Sequence, residues 1–350
     1  MQIGSYQINS DNDTFVIAEA GSNHNGDLET AKDLIDVGAE AGVDAVKFQV
    51  FEADNLYVEK SGTDETIDEN RSIHDVISSL ELPREWIPEL RAYSNQQGVL
   101  FLATPFDEQA VELLDEYVPA FKIASSSITH IPFLERVAET GKPILMSTGA
   151  HELAEVETAV QTLKQSGATD LALFHCVSSY PTPINRINVR AIDTLRDTFS
   201  LPVGLSDHTT DPIIAPCAAV SRGAAVLEKH FTLDRSMDGP DHSFALEPDE
   251  LTEMVKSVRQ TENALGNGSI DVQDIESHTY EVARRSVHAI RNIAAGEQLT
   301  EKNIAVLRPG KQEKGAPPSD YDALLGTTTS ESIQKDTGVT WDKITDCKDE

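Results

Sequence analysis

The sequence predicts an α/β fold: a (β/α)8 barrel followed by a small β-rich module. Three observations carry that expectation. Short apolar runs alternate with helical segments eight times within residues 1–265, and a barrel of this kind takes ~250 residues. Each apolar run ends in a polar cluster, as strands do when their ends converge on one mouth. Gly266-Asn267-Gly268-Ser269 then breaks the rhythm, and short β-like runs with turn signals follow. An open, doubly wound sheet is the structural alternative. There the polar ends would spread along an edge instead of gathering.

After a polar lead, Phe15-Val16-Ile17-Ala18 reads as the first buried strand and ends in Glu19-Ala20-Gly21-Ser22-Asn23-His24-Asn25-Gly26. Asp27 is placed to cap a helix with Leu28, Ala31, Leu34 and Ile35 on one face, stopping at Gly42. Ala45–Val50 is the second strand and carries Lys47 and Gln49 among apolar residues. The acidic stretch Glu52–Arg71 reads as a long loop over the strand ends, and Arg84–Gln97 as a helix closed by Gly98. Val99–Ala103 ends in Thr104-Pro105, and Ala120–Ile123 in Ser125-Ser126-Ser127. Pro143–Met146 ends in Ser147-Thr148-Gly149, and Leu171–Phe174 in His175-Cys176 with Tyr180-Pro181-Thr182-Pro183 beyond. Helices are expected over 107–117, 132–140, 153–165 and 189–198.

Pro202–Leu205 and Ala224–Leu227 flank a small-residue helix over 211–223. A strand–helix–strand unit joins parallel strands by a right-handed crossover, so His208 and His230 fall at the same end of neighbouring strands. The last barrel helix is Asp249–Leu265. Residues 266–283 read as a linker and 284–350 as the β-rich module, with strand-like runs at Ser286–Ile290 and Thr340–Trp341.

Net charge is −31, from 59 acidic and 28 basic residues spread along the chain. That excess argues against nucleic acid or an anionic membrane as partner, because like charges repel. It suits a cytoplasm of very high salt, where the screening length is ~3 Å at 1 M, and so reads as halophilic. The alternative is an ordinary acidic enzyme. Cys176, Cys217 and Cys347 lack metal-like spacing and fit a reducing compartment. The polar N-terminus has no signal pattern, and no apolar run reaches the ~18 residues of a membrane span.

The mouth would be lined by Glu19, Asn23, Lys47, Gln49, Thr104, Lys122, Ser125, Ser147, Tyr180, Ser206, His208, His230 and Asp241. Two lysines among hydroxyls suit a phosphate. The bland alternative for each lysine is a salt bridge to Glu19 or Glu228. Two imidazoles without a carboxylate cage suit Mn2+, with Mg2+ the alternative, leaving positions open for substrate oxygens. Asp207 is either an orienter of His208 or a helix N-cap, Glu228 and Lys229 could form an outward pair, and His175 reads as a satisfied core histidine. Residue chemistry alone does not separate an aldolase from an enzyme that condenses phosphoenolpyruvate.

The phrases IAEAGSNHNGD, VKFQ, ATPFD, FKIASS, ILMSTG, HCVSSYPTP, GLSDHT, EKHFTLD and GPDHSFALEPDEL resemble the sialic acid (nonulosonic acid, NeuB-type) synthase family. RRSVHAIRNIAAGEQLTEKNIAVLRPG, followed by LLG, resembles its C-terminal antifreeze-like SAF domain. The resemblance implies a TIM barrel that condenses phosphoenolpyruvate with an N-acylated hexosamine such as N-acetylmannosamine and releases phosphate. It implies a catalytic set of Glu19, Lys47, Lys122 and Asp241, and a metal held by His208 and His230. Lys47, Thr104, Lys122, Ser125, Ser147 and Ser206 would hold phosphoenolpyruvate, while Gln49, Tyr180 and Asp241 face the sugar. It also implies a homodimer with swapped SAF domains, Arg308 of one subunit reaching the other's mouth. Ser127 and Ser178 depart from the family's usual acidic residue and asparagine, and Lys311–Asp320 from its short glycine turn. Synthesis of N,N'-diacetyllegionaminate or pseudaminate therefore stays open. The readings of another class are a non-catalytic carbohydrate-binding barrel and a metal-dependent aldolase.

Overall fold

Parallel strands that must bury both faces need helices outside and closure at the edge. The computed structural model, which describes residues 1–63 and 70–345, meets both needs. A short hairpin, β1 (Gln2–Ile3) and β2 (Tyr6–Gln7), precedes the barrel strands. These are β3 (Phe15–Gly21), β4 (Ala45–Val50), β5 (Leu100–Pro105), β6 (Phe121–Ile123), β7 (Ile144–Ser147), β8 (Leu171–Cys176), β9 (Val203–Asp207) and β10 (Val226–His230). They pair in chain order and β10 closes on β3, so the sheet is a barrel and not an open sheet.

Helices α1 (Leu28–Ala41), α2 (Ala53–Leu56), α3 (Ile73–Ser78), α4 (Ile87–Gln97), α5 (Glu108–Leu114), α6 (Ile131–Glu139), α7 (Leu153–Gln165), α8 (Ala191–Phe199), α9 (Ile214–Ser221) and α10 (Pro248–Leu265) fill the connections. The Asp27 carboxylate accepts from Thr30 N, and Gly42 ends α1 at φ 81°, as the capping residues predict. The loop expected over Glu52–Arg71 contains α2; its residues 64–69 lie outside the described residues, as does Cys347. One apolar cluster joins the outer strand faces to the helices. A second fills the barrel interior, where Ile3 and Ile8 from the N-terminal segment meet Phe15, Ala45, Leu102, Leu145 and Phe174. Several strands run past their apolar stretch: β3 to Gly21, β8 to Cys176 and β10 to His230. Of the polar residues there, Glu19 and Glu228 face ion-pair partners inside the barrel, while Lys229 and His175 find theirs outside it.

Met1–Gly266 forms one compact unit and Asn267 onward another. The second is built on β11 (Ser286–Ala289), antiparallel to β12 (Ile304–Leu307), over a core of Val287, Ile293, Leu299, Ile304, Leu324 and Val339. The expected linker contains a helix, α11 (Ser277–Ala283), and α12 (Tyr321–Leu324) follows later. Thr340–Trp341 is not a strand: Trp341 opens a single 3-10 turn, and the true partner of β11 is β12. Val287 N donates to Ala316 O (2.9 Å) and Ala316 N to Val339 O (2.7 Å). The divergent Lys311–Asp320 segment is thereby stitched into this unit's backbone.

Candidate active site

Side chains alternate across a strand, so one inward residue decides its neighbours. In β10, Glu228 and His230 enter the barrel and Lys229 leaves it; in β9, Ser206 enters and Asp207 leaves. From the other strands Glu19, Lys47, Gln49, Thr104, Lys122 and Ser147 also point inward, and all but half-buried Gln49 are buried.

These groups form one network. Lys47 Nζ lies 2.5 Å from Glu19 Oε2 and 3.6 Å from Glu228 Oε2, and donates to Thr104 Oγ1 at 2.9 Å. Gln49 Nε2 donates to Glu19 Oε1 at 2.9 Å. Lys122 Nζ donates to Ser147 Oγ at 2.7 Å and lies 3.4 Å from Glu228 Oε1. Ser206 Oγ donates to Glu228 Oε1 at 3.1 Å. Two ammonium groups thus face two carboxylates, so both lysines make the salt bridges of the bland alternative. Glu228 is not half of an outward pair with Lys229; it sits between the two inward lysines.

Burial pushes the Glu19 carboxyl up; Lys47 opposes this, Glu228 reinforces it, and the net direction is upward. Burial also pushes Glu228 up, but Lys122 and Lys47 outweigh it and hold Glu228 low. Lys122 is lowered by burial. For Lys47 burial acts downward too, yet Glu19 and Glu228 raise it. Carboxylate charge is therefore held at Glu228, while Glu19 and Asp241 are both pushed upward.

The imidazoles of His208 and His230 stand with ring centroids 5.4 Å apart. His208 Nδ1 lies 3.0 Å from the Val177 carbonyl oxygen. A carbonyl only accepts, so Nδ1 carries a hydrogen. Burial acts downward on this imidazole, but Cys176 and the Val177 carbonyl outweigh it and raise it, so Nε2 offers a lone pair only once its own proton has left. His230 Nδ1 is buried without a hydrogen-bond partner, 3.6 Å from Asp241 Oδ2. Burial, with His208 beside it, lowers His230 well below its usual value, so it is neutral. An orphaned ring nitrogen beside a second lone pair fits a divalent ion, which removes the cost of an unmet buried polar atom. Among the described residues no cluster of three or more His, Cys, Asp or Glu converges to hold a metal. Such an ion would therefore take the rest of its shell from water and substrate.

Asp241, raised to about 6 chiefly by burial and then by Glu19, joins the imidazoles to the lysine network. The link is Gly21: at φ +56°, its missing Cβ would lie 3.2 Å from Asp241 Oδ2, 3.5 Å from Gln49 Nε2 and 3.5 Å from Glu19 Oε1. Tyr180 roofs the mouth, its ring 4.2 Å from that of His208 and 6.2 Å from that of His230.

Ser125 accepts from Gly149 N at 2.9 Å in the turn after β6; Ser127 closes that turn. Arg308 is an exposed residue of the second unit, just past β12. His175 is a core histidine whose Nε2 lies 2.6 Å from Ile187 O. Asp207 is not an N-cap and makes no hydrogen bond to the His208 ring: it lies in β9 and pairs with Lys229 at 2.6 Å, while Asp211 accepts from Ile213 and Ile214 N just ahead of α9. Cys176, whose Sγ is 3.9 Å from His208 Nδ1, was visible only as a strand end. Buried His24, with Nδ1 accepting from Gly26 N at 3.0 Å, gave no sequence signal beyond its polar cluster.

A model of the NeuB family matches residues 34–270, and one of the SAF domain residues 284–345. The spore coat polysaccharide biosynthesis protein SpsE of Bacillus subtilis is 41% identical over 98% of this chain and 96% of its own. The N,N'-diacetyllegionaminic acid synthase of Legionella pneumophila is 39% identical over 94% of each. Among solved structures, the N-acetylneuraminic acid synthetase of Leptospira borgpetersenii superposes with a TM-score of 0.72 at 35% identity, over 80% of this chain and 95% of that one. The mouth of the barrel, its pattern of inward charges and these matches agree: the chain belongs to the NeuB family of nonulosonic acid synthases, enzymes that condense phosphoenolpyruvate with a sugar, and ends in a SAF domain.

Proposed function

We propose that the protein joins phosphoenolpyruvate to the open-chain aldehyde of an N-acyl hexosamine of the N-acetylmannosamine type. The observation that carries this reading is that one mouth holds the two lysines ion-paired with Glu19 and Glu228 and, across Gly21, Asp241 beside the imidazole pair. Lys47, Lys122 and the hydroxyls of Thr104, Ser125, Ser147 and Ser206 hold the enol phosphate, giving point charges and donors to its oxygens. Gln49, Tyr180 and Asp241 orient the sugar over it.

His208 and His230 would hold Mn2+, or Mg2+ in its place, and the ion would supply Lewis-acid polarisation of the aldehyde oxygen. Phosphoenolpyruvate C3 forms the new bond to the aldehyde carbon, water adds at C2, and the C2–O bond breaks to release phosphate. Glu19, pushed upward by burial, takes a proton as the phosphate dianion enters and passes it to the aldehyde oxygen as the C3 bond forms. It regains one from the attacking water, whose second proton leaves with the phosphate as C2 becomes a carbonyl.

A second reading keeps this chemistry and changes the sugar: N,N'-diacetyllegionaminate synthesis. Ser127 and Ser178, shorter than the family's usual residues, leave room at the mouth, and the Legionella relative carries that name. Phosphate release measured against a panel of N-acyl hexosamines in molar salt tests both. The sugar giving the highest kcat/KM decides between them, and no release with any sugar overturns the synthase reading. Pyruvate consumption without phosphate would point to an aldolase.

Arg308 acts across a domain-swapped homodimer in this reading, clamping the sugar's acyl group bidentately. Arg308→Ala should then raise the sugar KM and leave that for phosphoenolpyruvate; equal KM values would remove it from the site. The acidic surface belongs to a cytoplasmic protein of a high-salt cell. Its melting temperature should climb steeply towards 1 M KCl, where screening shortens to ~3 Å, and a flat response would mark an ordinary acidic enzyme.

A further inference from the structure

The two imidazoles are each preceded by a charged residue that leaves the barrel: Asp207 before His208, Lys229 before His230. These form the last registered pair between β9 and β10. Lys229 Nζ lies 2.6 Å from Asp207 Oδ2, with the side chains 1% and 0% exposed. The same ammonium donates to the Thr209 carbonyl, to Thr209 Oγ1 at 3.1 Å and to Asp211 O at 3.3 Å. Asp207 in turn accepts from Thr209 N at 2.9 Å and Thr209 Oγ1 at 3.1 Å. The loop that carries His208 is therefore tied, on both sides of the histidine, to the residue next to His230.

Stability alone does not ask for this arrangement. Apolar side chains of similar volume replace a buried ion pair without loss in many proteins. What charges add is direction: a network with several fixed donors and acceptors holds one geometry where packing tolerates several. Here the geometry held is the splay of two strands at the point where their ladder ends, directly beneath the rings.

We propose that Asp207 and Lys229 are positioning residues that set the separation of His208 and His230 and so the affinity and geometry of the ion between them. This rests on the metal reading above, but the residues lie outside the barrel and touch neither ion nor substrate.

The test uses full-length protein, with Mn2+ binding followed calorimetrically, Co2+ followed by its visible absorption, and thermal unfolding measured alongside. Asp207→Asn/Lys229→Met removes both charges together and leaves neither stranded. Loss of an outer partner of this kind costs ~10–100-fold in metal affinity. We expect a drop of that size and an altered Co2+ band, with a melting temperature near that of the wild type. Unchanged Mn2+ affinity and Co2+ spectrum, with or without a lower melting temperature, overturn the proposal. Thr209→Val keeps both charges and takes one hydrogen bond from each; it should shift the Co2+ band the same way by less. A wild-type band in that variant overturns the proposal should the double variant not fold. Wild type and His208→Ala separate the two readings. If wild type binds neither ion, the metal reading falls and this inference with it. If wild type binds, His208→Ala does not, and the double variant matches wild type, only this inference falls.

Discussion

Lys47 Nζ stands 2.5 Å from the Glu19 carboxylate inside the barrel, the two side chains 3% and 1% exposed. The contact neutralises a lysine that a phosphate would also claim. A dianion arriving at Lys47 weakens the main attraction that, together with the Gln49 hydrogen bond, opposes burial and Glu228 at Glu19, so its pKa climbs further. Phosphoenolpyruvate binding at neutral pH should therefore take up a proton, to a limit of one per site. Calorimetry in buffers of different ionisation enthalpy measures it. Glu19→Gln should bind the ligand without uptake, and a heat independent of buffer in the wild type would sink the idea.

Chelation should abolish turnover and Mn2+ restore it. His208→Ala or His230→Ala should lower kcat by ~10^3-fold, the equivalent of several kcal/mol of lost Lewis-acid stabilisation. Circular dichroism should stay unchanged, since each ring fills a mouth and not a core. Full activity in excess chelator would remove the ion from the reaction.

Gly21 is where backbone and site geometry meet. An L-residue at its φ of +56° costs roughly 1–2 kcal/mol, and a methyl there would press on Asp241 at 3.2 Å. Gly21→Ala should lower stability by about that much. It should also raise the sugar KM more than the phosphoenolpyruvate KM if Asp241 faces the sugar as proposed. Parallel kinetics for the two substrates would show that Asp241 does not.

His24 gives a stability signal with a definite sign. Burial lowers it from 6.5 to about 4. Above pH 6.5 neither folded nor unfolded chain is protonated there, so it contributes nothing. Between 6.5 and about 4 the unfolded chain binds a proton that the folded one refuses, and stability falls by ~1.4 kcal/mol per pH unit. His24→Asn keeps an acceptor for Gly26 N and should flatten that slope. The difference between wild-type and variant denaturation curves across pH 7 to 4 isolates it, and parallel curves would place a charged imidazole in the fold.

Much of the site was legible because strand periodicity is short-range. Once His230 is taken as inward, Glu228 two residues earlier must be inward as well and Lys229 outward. That step needed no coordinates, yet the sequence reading kept both alternatives, an outward pair of Glu228 with Lys229 and a salt bridge from Glu228 to the inward lysines. Asp207 misled for a different reason: an Asp after a strand and before a helix reads as a cap, but α9 starts only at Ile214, which leaves Asp207 inside β9 for another partner. Thr340–Trp341 looked like a strand on composition, but short β-like runs in a small unit pair by what lies opposite them, which local pattern does not carry.

The sequence by itself determined the alternation of apolar runs and helices, the caps at Asp27 and Gly42, and which residue types end each strand. These follow from side-chain period and backbone preference within a few residues. Only the tertiary structure decided that both lysines are neutralised by carboxylates, that His230 Nδ1 is left unmet, and that Asp207 and Lys229 bind two strand ends together. Those are contacts between strands far apart in the chain, and barrel closure alone sets which charges meet in its interior.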